Sequence, residues 1–284
     1  TVNRVLVTTQ VTLLRTFVVD ETPTDAAGAV TVTVKRLDGT VVITGPATSA
    51  GVGTGSYTFV LPAQPAVDVL TVDWSGDIGG ATVTVRDIAE VVGGFVFGLP
   101  ETRTEHKSLT KVAYPTSVLA QKRIWVEQEC ERICRRAMVP RFARVACDGS
   151  GTAMLLTPHL LLRKVRAVTV GATVWTSDQI ANVIPRDSGV LLLKAGVWPL
   201  GYANVIVEME HGEDLPPMEV SEAAITRFRS AVSGNKSNIP DRALSYTVMQ
   251  GGVYRLATPT SETTGIPTVD AAYHGNRLDS GGFA

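Results

Sequence analysis

Residues 115–137, PTSVLAQKRIWVEQECERICRRA, are a strongly charged amphipathic stretch in a sequence that otherwise reads as strands and loops. That contrast limits the fold more than any other feature, because it requires a small helical core with β structure before and after it. Val118, Val126, Cys130, Ile133 and Ala137 recur at three- and four-residue steps, the spacing of one buried helical stripe. Pro115 suits an early helical position, where its missing N–H costs nothing, and the helix is expected to end before Pro140. Arg123 with Glu127, and Glu131 with Arg135, are opposite charges four apart, each expected to add about 0.2–0.5 kcal/mol on an exposed face.

Upstream, apolar residues alternate with Thr or charged ones: Val30, Val32 and Val34; Tyr57, Phe59 and Leu61; Leu70, Val72 and Trp74; Val83 and Val85. Period two marks half-buried strands. Turn residues at Asp38-Gly39, 51–55 and 76–80 have the spacing of a small antiparallel sandwich. Residues 1–92 are therefore expected to form an immunoglobulin-like β-sandwich, held without cysteine by packing around residues such as Trp74.

Gly93-Gly94 closes that region, and 95–111 reads as a connector with a short helix. Residues 141–210 return to strand patterns and are expected to form a β-rich insertion packed on the helices. After Pro216-Pro217, Val220, Ala224, Phe228 and Ala231 mark a second helix over 218–232. Beyond Gly234 the chain is rich in Gly, Ser, Thr and Pro, with isolated apolar residues such as Tyr246, Val248, Tyr254, Leu256 and Ile266. Composition allows two readings of 234–284, a disordered terminus or an extended arm that orders on a partner. The expected class is thus α+β and multidomain: sandwich 1–92, helical domain 93–233, C-terminal arm 234–284. On this reading residues 1–233 fold without the arm.

The 284 residues carry 26 Lys and Arg against 27 Asp and Glu, so whole-chain charge gives no footprint for tight phosphate binding. Residues 1–10 lack a signal-peptide pattern and no apolar run reaches membrane-spanning length, so a soluble chain made in a host cytoplasm is expected. Three cysteines suit free thiols better than a disulfide framework.

Candidate chemistry is sparse. Cys130 and Cys134, with Cys147 and His159, lack zinc-site spacing and read as small core residues. Gly51, Gly53 and Gly55 lack the strand-then-helix setting of a phosphate loop. No Gly-x-Ser-x-Gly elbow and no carboxylate pair stands out. We expect no enzyme, no metal and no cofactor. Arg132, Arg135, Arg136, Arg141 and Arg144 cluster around the end of the first helix, as a solvated face favoured by the helix dipole or as a contact with an acidic neighbouring subunit.

Several segments together resemble the head-to-tail adaptors (head completion or connector proteins) of tailed phages, especially those infecting actinobacteria. These are Val91-Val92-Gly93-Gly94-Phe95; Tyr114-Pro115 with 120–136; Val139-Pro140-Arg141-Phe142-Ala143-Arg144; 205–212 before Pro216-Pro217; Ile239-Pro240-Asp241-Arg242 through Tyr246-Thr247; and 254–259 followed by Gly265-Ile266-Pro267 and Val269-Asp270. The resemblance covers about residues 91–273, and the sandwich is similar to the Ig-like extension of some members. It implies a structural virion protein of the neck: a ring, commonly of twelve copies, between the portal protein and the stopper or tail. DNA would pass through the ring without sequence-specific binding. It further implies an arm docking on the portal, with Asp241, Arg242, Tyr246, Tyr254 and Arg255 as anchors, and leaves room for a capsid contact through the Ig-like domain. The competing reading is a capsid or tail decoration protein that binds a host surface through that domain.

Overall fold

The computed structural model describes residues 2–106, 109–233, 243–247, 253–256 and 260–278. Residues 2–92 form two facing sheets. One has the strand order Val2–Leu6, Ala81–Val92, Asp68–Ile78, Thr31–Arg36, Val41–Pro46, and the other Val11–Thr16, Ser56–Leu61, Thr48–Ser49. Val2–Leu6 runs parallel to Ala81–Val92, while the other pairs in both sheets are antiparallel. The alternating residues face inward as their period dictates: Val32, Val34, Leu61, Leu70, Val72 and Trp74 are at most 1% exposed. Each such side chain contributes about 1.5–3 kcal/mol by leaving water. Phe59 meets Trp74 edge-on across the sheets at 6.5 Å, a favoured aromatic geometry.

Among the described residues there are five helices: α1 (Leu99–Glu105), α2 (Thr116–Cys134), α3 (Ser177–Ala181), α4 (Met218–Ser233) and α5 (Pro267–Gly275). α1, α2, α4 and α5 share one core, in which Leu119, Val126, Cys130, Ile133, Phe228 and Tyr273 are buried. Pro115 precedes the first turn of α2 as its N-cap, and Arg135 ends the helix in the left-handed region at φ 56°. The insertion pairs Arg141–Gly149, Gly201–His211, Leu162–Val170 and Thr173–Val174 in one sheet and Met154–Leu156, Val190–Leu193 and Val183–Pro185 in another. Its core includes Leu155, Val207, Met209 and Trp198. Trp198 stacks on Trp175 at 5.0 Å, just before the Thr176–Gln179 capping box that starts α3.

The joint between sandwich and helical unit is tight. Gly93 N–H donates to the Pro140 carbonyl at 2.9 Å, and a Cβ at Gly93 would stand 2.6 Å from Pro140 Cβ. Only glycine permits that approach.

Three expectations are corrected. Val118 is 48% exposed, and Leu119 takes its place in the stripe. Arg123 and Glu127 are buried, at 7% and 0% exposure, and Glu131 pairs with Arg4 and Arg141 where Arg135 was expected. The charged face of α2 is therefore an internal contact, because the sandwich covers it. Finally, residues 260–278 are not an arm. Ile266, Val269 and Tyr273 enter the helical core through α5, so a chain cut after Ser233 loses part of that core. Sparse apolar residues concealed this, since one helix and its N-cap supply the three, Ile266 at the cap and Val269 and Tyr273 within α5. Upstream of α5, Ala243–Thr247 and Val253–Leu256 pair antiparallel.

Candidate functional site: a buried ionic junction and its cavity

In the strand Val2–Leu6, Val5 points into the sandwich and Arg4 emerges on the opposite face, as period two requires. Glu90 does the same between Ala89 and Val91, directly opposite Arg4 in register. α2 meets this face with Arg123, Glu127 and Glu131, spaced by four residues and so on one side of the helix.

Arg4 is the hub. Its Nε donates to Glu90 at 2.8 Å, Nη1 to Glu127 at 2.7 Å and Nη2 to Glu131 at 3.0 Å. Arg141, at the start of the insertion, donates through Nη2 to Glu131 at 2.6 Å, with Nη1 3.1 Å from Glu90. The second oxygen of Glu127 accepts Val96 N–H at 2.9 Å. Arg123 stands 3.9 Å from Glu127, an ion pair without hydrogen-bond geometry, and lies over the Phe95 ring at 3.4 Å. Three guanidiniums meet three carboxylates, so the cluster is neutral. Burial raises the Glu127 carboxyl above its usual value against the pull of Arg4 and Arg123. Burial also lowers Arg123, whereas Arg4, despite its own burial, is raised by Glu131, Glu90 and Glu127 together. Such a cluster contributes little net stability compared with apolar packing, but losing one member strands a buried charge. It fixes how sandwich, helices and insertion meet.

Beside the junction lies a cavity of about 350 Å³ lined by Glu90, Glu131, Arg136, Arg141, His159 and His211, with Arg141 and His211 opposite each other in register. The two imidazoles stack at 4.1 Å. Burial keeps both neutral, and His159 and Arg141 add to it at His211, which is pulled down to about 3.

The five arginines singled out in sequence diverge. Arg132 is exposed. Arg135 pairs with Glu262 at 3.1 Å on the surface, Arg136 with Glu213 at 2.5 Å, and Arg144 with Glu208 at 3.1 Å across the insertion's sheet. Arg141 is buried in the junction. Asp241 and Arg242 lie outside the described residues. Tyr246, Tyr254 and Arg255 fall on the two paired strands before α5, Tyr246 opposite Tyr254. Cys130 and Cys134 are free thiols in the helical core with sulfurs 4.0 Å apart, and Cys147 is buried in the insertion. Among the described residues no group of three His, Cys, Asp or Glu is placed to hold a metal ion. In the glycine loop, Gly53 and Gly55 N–H donate to the Asp25 carboxylate at 2.5 and 2.7 Å, so amides that would otherwise face a phosphate are already engaged.

Sequence reasoning missed Arg4 and Glu90. The available signal was a charge at an outward position on each of two strands, together with a helix carrying complementary charges every four residues.

No family model and no curated protein matches the chain. Among solved structures, a chain described as belonging to the "neck of empty GTA particle computed with C6 symmetry" is similar at a TM-score of 0.41 and 14% identity, covering 64% of this chain and 91% of that one. The likeness is too distant to carry residue roles across.

Proposed function

We propose that the chain is a structural protein of a tailed-phage neck, a head-to-tail adaptor that closes into a ring, dodecameric as is common in the family it resembles. The ring would join the portal to the stopper or tail and continue the DNA channel. The observation that supports this reading is where the resembling segments fall. Val91 to Phe95 leaves the sandwich for the junction, 120–136 covers most of α2, 139–144 carries Arg141 into the insertion, 205–212 lies in its central strand, and Ile266 to Asp270 starts α5. Apart from 239–247 and 254–259, those segments build the framework that fixes the three units.

Large apolar side chains remain uncovered elsewhere. Leu200 and Tyr202 at the tip of the insertion, and Leu215 and Met218 before and at the start of α4, are 78–89% exposed, the kind of surface that subunit contacts cover. In a closed ring, weak contacts repeated in every subunit become effectively intramolecular.

Electron microscopy of particles assembled without this chain tests the proposal. The expected result is DNA-leaking heads separated from finished tails. Intact tailed particles that bind their host poorly would overturn it in favour of a decoration protein acting through the sandwich. The portal-docking role of Asp241, Arg242, Tyr246, Tyr254 and Arg255 is tested in the full-length chain by alanine substitution and co-sedimentation with portal, because removing everything after Ser233 would also remove α5. Undiminished co-sedimentation would remove these residues from the role.

A further inference from the structure

Two sides of α2 are covered. Leu119, Val126, Cys130 and Ile133 enter the helical core, and Glu127 and Glu131 meet Arg4 of the sandwich. On the remaining side Val118, Lys122 and Trp125 follow one another at four and three residues and so form one stripe. Val118 is 48% and Trp125 44% exposed, and Val112, just before the helix, is 95% exposed beside the exposed Lys111. Neither lysine has an ion-pair partner among the described residues. Trp125 is nonetheless held in place, because the Arg227 guanidinium lies 4.5 Å over its ring and is itself fixed by Glu129 at 2.6 and 3.2 Å. A positioned indole left half open to solvent is the type of side chain that anchors protein contacts.

The start of α4 carries the opposite charge at the opposite end of α2. Glu219 accepts from Asn276 at 2.6 Å, and Asn276 in turn accepts from Arg136, just past the end of α2. Leu215 and Met218 are exposed there, and so are Glu219 and Glu222, neither of which has a cation partner among the described residues. Both glutamates border a groove of about 280 Å³ between α4 and α5, where Ala223 and Ala272 leave room for a larger side chain. From Val118 to the end of α2 is about 24 Å at 1.5 Å per residue, so one copy cannot bring the two patches together. A chain that carries both halves of a complementary contact out of each other's reach is matched by its own second copy. We propose that the outer stripe of α2 docks on the start of α4 in a second copy of this chain. Lys111 and Lys122 then face Glu219 and Glu222 around an apolar centre that includes Trp125 and Met218. Because the two patches differ, the contact is heterologous, each copy uses both, and the array closes into a ring where the rotation permits. For that closure the inference rests on the neck reading; the pairing itself does not.

The test exchanges charges in the full chain. Lys122→Glu and Glu222→Lys each set like charges against one another, and each alone should weaken self-association about tenfold or more in sedimentation velocity. Their melting transitions should stay put, since both side chains are exposed. Mixed in equal amounts, the two variants should assemble again, because in an alternating array every contact is either the native pair or its reversal. Recovery on mixing requires two chains, so a role within one chain does not produce it. A wild-type chain that stays monomeric up to its solubility limit, variants that associate like wild type, or a mixture that stays apart would each overturn the pairing. Should either variant shift the melting transition, carbodiimide cross-linking of mixed ¹⁴N and ¹⁵N wild-type chains decides. Links from Lys111 or Lys122 to Glu219 or Glu222 must then join a light chain to a heavy one, and their absence, or links confined to single chains, overturns the contact. The neck reading fails separately. Association that obeys the charge exchange, beside intact tailed particles lacking the chain, keeps this contact and removes the neck, whereas rings indifferent to the exchange remove the contact and leave the neck.

Discussion

The interior of the sandwich is fully dry and the junction beneath it is buried around Arg4 and Glu127 but reaches solvent at Glu90 and Glu131, and the two are held by different physics. Inside the sandwich, Val32, Leu70, Val72 and Trp74 pack through apolar contacts, with one buried carboxylate, Asp87 opposite Val72, held by Arg15, so truncating an apolar residue removes contacts in proportion to the atoms lost. In the junction, Arg4 is held by Glu90, Glu127 and Glu131 at once, so losing any one group unbalances the rest. The first arrangement makes a domain stable. The second makes one geometry between units preferable to others, because a shifted docking would leave buried charges unpaired.

The hardest test of that contrast is Glu127→Ala. It leaves Arg4 with one partner fewer and Arg123 and Val96 N–H without theirs, and is expected to cost about 3–5 kcal/mol. Chemical denaturation followed by tryptophan fluorescence checks it. A loss below 1 kcal/mol would mean that water or a shifted side chain replaces the carboxylate and that the junction is not a lock.

Acid provides the next largest effect. Burial holds His159 and His211 below the ordinary imidazole value, His211 at about 3. An unfolded chain takes up a proton on each near pH 6.5. Between that pH and about 3 the unfolded state therefore binds more protons, and stability falls as pH falls. Going from pH 7 to 5 should cost about 2 kcal/mol per strongly depressed histidine. His211→Phe should flatten that slope in pH-dependent melts. The effect belongs to the junction side, since the sandwich contains no histidine.

How much of this was legible follows from the same contrast. Tyr57, Phe59, Leu61, Val72 and Trp74 were readable because alternation is a local signal and each residue's fate depends on its own strand. Arg123 and Glu127 were misread because four-residue charge spacing looks the same on a wet face and on one covered by a strand more than a hundred positions earlier. Val118 and Leu119 show the same limit, since helical spacing defines a stripe to within one residue and packing decides which neighbour faces in. α5 was hidden by composition. Of the candidate arginines, the sequence located the cluster around the end of α2, but only the fold separates buried Arg141 from exposed Arg132.

A smaller effect probes the sandwich with a polar change. Ala26 N–H donates to Tyr57 Oη at 2.7 Å, tying a loop to the core. Tyr57→Phe keeps the ring and its edge contact with Phe17 and removes only the acceptor. The expected loss is about 1 kcal/mol, the low end for a stranded donor because Ala26 is only part-buried. Hydrogen exchange at the Ala26 amide should rise, and unchanged protection there would mean that another acceptor replaces the hydroxyl.

The smallest effect separates charge that positions units from charge left for a neighbour. Arg144 and Glu208 pair at 3.1 Å across the insertion's sheet with side chains 32% and 25% exposed. Solvent screening limits such a pair to at most about 1 kcal/mol. Arg144→Ala should therefore leave the melting transition almost unmoved, in contrast to Glu127→Ala. That silence is what makes the variant useful. If Arg144 contacts an acidic neighbour in the proposed ring, the variant lowers the assembled fraction in sedimentation velocity while the monomer stays folded, because a small loss per contact is multiplied around a closed ring. Unchanged assembly would make Arg144 part of the solvated face.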